Sequence, residues 1–132
     1  MNLPRPAYTV DTAADGVEQA IRVLEGRWKL LILFRLFGGN LLRFSELERT
    51  LPGISQKMLI QQLRQLETDG IVRRIDHQEV PPKVEYGLTE WGQALCPALD
   101  SLLKWAEQRP GARRISVLSA RLERSPKNDR AT

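Results

Sequence analysis

Within residues 56–69 the side chains of Lys57, Gln61 and Arg64 recur at i, i+4 and i+7, a spacing that stacks them on one side of an α-helix. Their chemistry is that of hydrogen-bond donors aimed at anions and purine edges. Lysine and arginine pair with phosphate oxygens or with guanine O6 and N7, and a glutamine carboxamide can engage adenine through two bonds at once. Ser55 and Gln56 precede them, and Ile60, Gln65 and Thr68 share or flank the face. No acid interrupts it until Glu67 and Asp69. A helix beginning at Ser55 would add free backbone N–H groups and the positive end of its dipole, both suited to a phosphate. Any amphipathic helix also turns such a face to water, so the pattern alone permits both readings.

A second cationic set surrounds a stiff pair of prolines. Arg73, Arg74 and Lys83 lie near Pro81-Pro82. A rigid basic hairpin beside a groove-bound helix would grip phosphate or enter the minor groove, with Arg74, Pro82 and Lys83 as its contacts. A structural hairpin with scattered charges is the alternative. Arg43 and Ser45 precede a short helix and are placed to touch a nucleic-acid backbone, although Ser45 is equally explained as a helix cap. Other chemistries are poorly supplied. One cysteine, Cys96, and one histidine, His77, make neither a disulfide nor a zinc site. No nucleophile–base–acid set, phosphate-cradling glycine loop or metal-ligand spacing is present. The expectation is a binding protein without catalytic residues, metal or cofactor.

The elements that must carry these residues follow from periodicity and punctuation. The chain has 132 residues, 42% of them hydrophobic, enough for one domain with a core. No apolar run approaches the about 20 residues of a membrane span, and 1–15 lack a signal-peptide core, so the expected location is the cytoplasm. The net charge is +4, but 109–132 hold seven basic and two acidic residues while 1–108 hold thirteen and fourteen. The excess sits in the tail, and net charge alone says little about the body.

Asp15 with Glu18 three residues on predicts a first helix from Asp15 to a break near Gly26. Residues 27–37 form a second helix, apolar on nearly every side and so expected to be buried on nearly every side as a central post. Residues 41–43 are a short extended piece. Ser45 to Glu48 reads as a capping box opening a third helix, Leu51-Pro52-Gly53 as a turn, and Ser55 as the cap of a fourth helix that Gly70 stops. Residues 71–77 and 83–88 read as two strands. Thr89 caps a last helix, 90–108.

The order of helix, short turn, helix and two-stranded hairpin is that of a helix-turn-helix with a wing, whose second helix fits a major groove about 12 Å wide. The motifs are specific enough to resemble a family. Leu30-Leu31-Ile32-Leu33, Arg43-Phe44-Ser45-Glu46-Leu47, 51–59, Leu63-Arg64-Gln65-Leu66-Glu67, Asp69-Gly70, Val80-Pro81-Pro82-Lys83-Val84-Glu85-Tyr86, Leu88-Thr89 and Gly92 look like the HxlR-type winged helix-turn-helix regulators over roughly residues 15–105. The resemblance implies a mainly α fold with a small β-hairpin wing and a double-stranded DNA partner. It implies a recognition helix starting at Ser55 and a homodimer built from the first and last helices. Val17, Ala20, Ile21 and Leu24 on the first helix, and Cys96, Leu99 and Leu103 on the last, are the expected interface. Independently, Leu95, Leu99, Leu102 and Ala106 form one stripe of the last helix, which Cys96, Leu103 and Trp105 widen.

The position at which many such regulators resemble each other in a sensing cysteine is Asp15 here, so an N-terminal thiol switch is not expected. Cys96, read as mid-helix among apolar residues, is expected to pack rather than sense. The expected organisation is an arm over 1–14, a DNA-binding and dimerisation domain over 15–108 and a flexible basic tail over 109–132. The expected function is transcriptional regulation by a DNA-binding homodimer, acting as a repressor. A winged protein-interaction module without DNA is the alternative. Trp28, Phe34, Phe37, Trp91 and Trp105 are candidates for a small-molecule effector pocket, with plain core packing as the commoner alternative, and nothing in the sequence names a ligand.

Overall fold

The computed structural model describes residues 7–111. It contains α1 (Val10–Val23), α2 (Arg27–Leu36), β1 (Leu42–Arg43), α3 (Phe44–Thr50), α4 (Gln56–Thr68), β2 (Val72–Asp76), β3 (Val84–Leu88), α5 (Glu90–Gln93) and α6 (Leu95–Glu107). The tail expected over 109–132 lies almost wholly outside the described residues. The chain divides into two compact units, through Gln93 and from Ala94 onward.

In the first unit, α2 packs against α3, α4 and β3, and α4 packs against β2. Ile32, Leu33 and Leu36 of α2, Leu47 of α3, and Leu59, Leu63 and Leu66 of α4 are closed off from solvent, together with Leu51, Ile71 and Val72. The strands form an antiparallel sheet in the order β1-β3-β2. The register sets Arg74 opposite Tyr86, Ile75 opposite Glu85, and Arg43 of β1 opposite Glu85 on its other side.

α2 departs from the expected central post. Its buried face is the single stripe Lys29, Ile32, Leu33 and Leu36, while Leu30, Leu31 and Phe34 remain exposed, Phe34 by 54%. An apolar circumference records what could be buried; only neighbours decide what is. Lys29, 8% exposed, heads the buried stripe, its long stem taking an apolar position. Asn40 closes the far end by donating from Nδ2 to the Arg35 and Phe37 carbonyls, each at 3.1 Å.

Helix starts were partly misplaced by sequence reasoning. α1 begins five residues earlier than expected, because Thr9 caps it by accepting from the Thr12 N–H while the Thr12 hydroxyl answers the Thr9 N–H. Asp15 lies inside the helix and accepts from Gln19 Nε2 at 2.9 Å. α3 is not capped by Ser45, which sits within it. Its cap position is Arg43, whose N–H donates to Glu46 Oε1 at 2.8 Å. An arginine side chain has no acceptor, so only this half of a capping box operates.

The expected last helix is two helices. Pro97 lacks the N–H that would bond the carbonyl of Gln93, and its ring would press on that carbonyl. The chain therefore breaks at Ala94, and Pro97 falls in the first turn of α6, where proline is tolerated. Cys96 is consequently the second residue of α6, half-buried, rather than a mid-helix core residue.

Candidate nucleic-acid interface

α4 is bounded at both ends by its own sequence. Ser55 is extended and its Oγ accepts from the Met58 N–H at 3.0 Å, satisfying one of the free donors of the first turn. That leaves the Ser55 O–H and the other first-turn N–H groups for a ligand. Upstream, Ile54 N–H bonds the Leu51 carbonyl across Pro52-Gly53, so α3 and α4 are joined by one tight turn. Downstream, Gly70 takes φ +79° and donates to the Glu67 carbonyl, while Ile71 donates to Leu66. This paired closure needs a left-handed residue at its centre, which glycine adopts without strain. Leu66 and Ile71, both fully buried, provide its apolar contact. The closure turns the chain directly from α4 into β2 and so couples the two elements.

Leu59, Leu63 and Leu66 carry α4 into the core. Gln56, Lys57, Ile60, Gln61, Arg64, Gln65 and Thr68 are all exposed, which gives the face expected from the sequence. Glu67 and Asp69 stand at its C-terminal end. Thr89 braces the same region: its hydroxyl donates to the Gly70 carbonyl at 2.7 Å and accepts from Gly92 N–H at 2.9 Å. A side chain at Gly92 would overlap the Ile71 carbonyl, so α5 sits against the α4–β2 junction only because that residue is glycine.

The wing is β2, β3 and the loop between them. Arg74 and Pro82 are exposed, and Lys83 is half-buried. Arg73 is drawn back toward the sheet, its Nε donating to the Leu88 carbonyl at 3.3 Å. Arg43, exposed on β1, joins the sheet opposite Glu85, and Ser45 follows it on the first turn of α3. Sequence reasoning missed the loop's internal ties. His77 Nε2 donates to Glu85 Oε1 at 2.8 Å, and Asp76 Oδ1 accepts from Gln78 N–H at 2.9 Å. A hydrogen-bonding imidazole facing a carboxylate across a hairpin was the available signal for the first of these.

The residues expected to form an interface fall into two groups. Val17, Ala20 and Ile21 lie exposed on α1, where no residue is buried, and Leu24 at its end is half-buried. On α6, Leu99 is buried, Cys96 half-buried, and Leu103 and Trp105 exposed. The aromatic side chains suggested for an effector pocket are differently engaged. Phe34 and Phe37 meet edge to face at 5.3 Å, Arg27 lies over the Trp28 ring at 4.4 Å, and Trp91 is exposed. A shallow hollow of the first unit is lined instead by Gly38, Gly39, Arg73, Leu88, Thr89, Glu90 and Gln93. Among the described residues no helix is long and apolar enough to cross a membrane.

A helix-turn-helix whose second helix exposes a cationic and amide face, followed at once by a β-hairpin, defines a winged helix-turn-helix DNA-binding protein. The HxlR-like helix-turn-helix family model matches residues 23–113, and the chain belongs to that family. It is 51% identical over 90 residues to the HTH-type transcriptional regulator YtcD of Bacillus subtilis (strain 168), covering 68% of this chain and 71% of the relative. It resembles a crystal structure of a MarR-family transcriptional regulator from Enterococcus faecalis V583 with TM-score 0.72 and 39% identity, over 89% of this chain and 99% of that one. It also resembles the redox regulator HypR in its reduced form, with TM-score 0.65 and 40% identity, over 80% and 98% of the respective chains. The protein is a DNA-binding transcriptional regulator.

Proposed function

We propose that the protein works in the cytoplasm as a homodimer that sets one α4 into each of two successive major grooves, and that it represses wherever its site overlaps a promoter. The observation that carries the dimer is α1. It is a helix of 14 residues with no buried residue, and its apolar positions Val10, Val17 and Ile21 fall on one side, with the half-buried Leu24 just past its end. Isolated helices of that length are marginal in water, and an apolar side chain gains about 1.5–3 kcal/mol when fully covered. A second copy supplies cover for Val17, Ala20, Ile21 and Leu24 of α1 and for Cys96 and Leu103 of α6. Leu99, expected at the interface, is already buried within one chain and offers it no free surface.

In this reading Ser55, Gln56, Lys57, Ile60, Gln61 and Arg64 meet the major groove. Arg74, Pro82 and Lys83 meet the flanking backbone from the wing, and Arg43 and Ser45 do so from the start of α3. Two subunits related by a twofold axis imply half-sites about 34–36 Å apart on one face of the duplex. Phosphate contacts imply steep salt dependence. A lone cysteine cannot close a disulfide within one chain, and Asp15 occupies α1, so a two-thiol switch inside the subunit is not part of the proposal.

The test is selection of a duplex from a random-sequence library by the full-length protein, followed by footprinting and sedimentation of the complex. A palindromic footprint bound by two chains, with affinity falling as salt rises, is the expected result. An asymmetric footprint bound by one chain would defeat the proposal.

A further inference from the structure

The loop that joins β2 to β3 is tied at one residue. His77 donates its backbone N–H to the Lys83 carbonyl at 2.9 Å, and its imidazole Nε2 donates to Glu85 Oε1 at 2.8 Å. Both side chains are largely covered, 28% and 16% exposed. On one side of this latch the strand pairing ends at Asp76 and Val84. On the other side, Asp76 Oδ1 holds the Gln78 N–H, and among the described residues no hydrogen bond reaches 79–82. Val80 stands wholly exposed at the tip. Among the described residues, the loop beyond His77 is therefore held to the strands by the two bonds His77 makes and by the Asp76–Gln78 bond.

Charge explains why that direction matters. Residues 76–83 hold Asp76 and Glu79 against a single cation, Lys83. An untethered loop would meet a polyanion with the wrong net sign, at a range where charges are only partly screened. A tethered loop can present one side. We infer that His77, acting through Glu85, is a positioning residue for DNA binding: the imidazole–carboxylate bond sets the loop so that Lys83 meets phosphate beside Arg74, which the strand pairing already fixes, while Glu79 is held off. The inference rests on the reading that the wing touches the duplex.

The experiment measures affinity of the full-length protein for a duplex selected by the wild type from a random-sequence library. His77→Leu removes the donor and is expected to weaken binding about tenfold, the scale of one lost hydrogen bond to a charged group. His77→Gln, whose carboxamide N–H can stand in for Nε2–H, is expected to restore most of that loss; His77→Asn, with the shorter reach, is not. Glu85→Leu is expected to match His77→Leu, and the double variant to be no weaker than either single one.

The variant Arg74→Ala/Lys83→Ala separates the two levels of the inference. If it binds like the wild type, the wing does not touch the duplex and the latch role falls with it. If it weakens binding and His77→Leu does not, the wing reading stands and the latch is overturned. Equal losses for Leu, Gln and Asn at position 77 overturn the latch as well. Thermal melts accompany each variant, and the Gln-against-Asn comparison decides the matter should His77→Leu fail to fold.

Discussion

α1 and α4 are nearly equal in length, 14 and 13 residues, and both are amphipathic. α4 buries Leu59, Leu63 and Leu66 and turns its polar side to water. α1 buries nothing, leaving Val17 and Ile21 each about three-fifths exposed. The difference lies in neighbours. α4 has α2 and β2 to pack on, so its apolar stripe is spent on the fold and its polar face is what remains for a ligand. The apolar stripe of α1 is unspent, so in α1 the apolar face is what remains. One helix thus offers a surface for a polyanion, the other for a second hydrophobic surface.

Breaking that contrast on the α1 side has the largest expected effect. Val17→Asp with Ile21→Asp should convert dimer to monomer in sedimentation. It should also lower affinity for a two-half-site duplex by about a hundredfold or more, because the second half-site no longer binds at an intramolecular effective concentration. A dimer that persists in this variant would remove α1 from the interface. On the α4 side, Leu63→Ala acts on the buried stripe and should cost about 2–5 kcal/mol of folding stability in a denaturant melt.

Smaller effects sharpen the comparison on the polar face. Arg64→Ala should cost about 1–3 kcal/mol of specific binding with little change in melting temperature, and should relax sequence preference at one position. Lys57→Ala should weaken all sequences alike and reduce the slope of log affinity against log salt by about 1, the signature of one phosphate contact. Ser55→Ala has the smallest expected consequence, about 1 kcal/mol of stability from the lost cap. Unchanged binding in both Arg64→Ala and Lys57→Ala would move the DNA contact off this face of α4.

The legible features were those fixed by residues close in sequence. Ser55, the Leu59–Leu63–Leu66 stripe and Gly70 gave α4 and its exposed face, because a cap, a period and a left-handed stop act within a few residues. Signals for two misreadings were also local: Thr9 and Thr12 mark the start of α1, and Pro97 marks the break before α6. The misreading of α2 was different in kind. Leu30, Leu31 and Phe34 are as apolar as Ile32, Leu33 and Leu36, and no local rule separates the covered stripe from the bare one.

The sequence by itself therefore determined the helices, the Pro52-Gly53 turn, the wing hairpin and the polar composition of the α4 face. Those depend on hydrogen bonds and periodicities spanning a handful of residues. Only the tertiary structure decided which apolar stripes are covered and that β3 lies between β1 and β2. Those outcomes depend on surfaces brought together from distant parts of the chain, and burial is a property of the pair of surfaces rather than of either one.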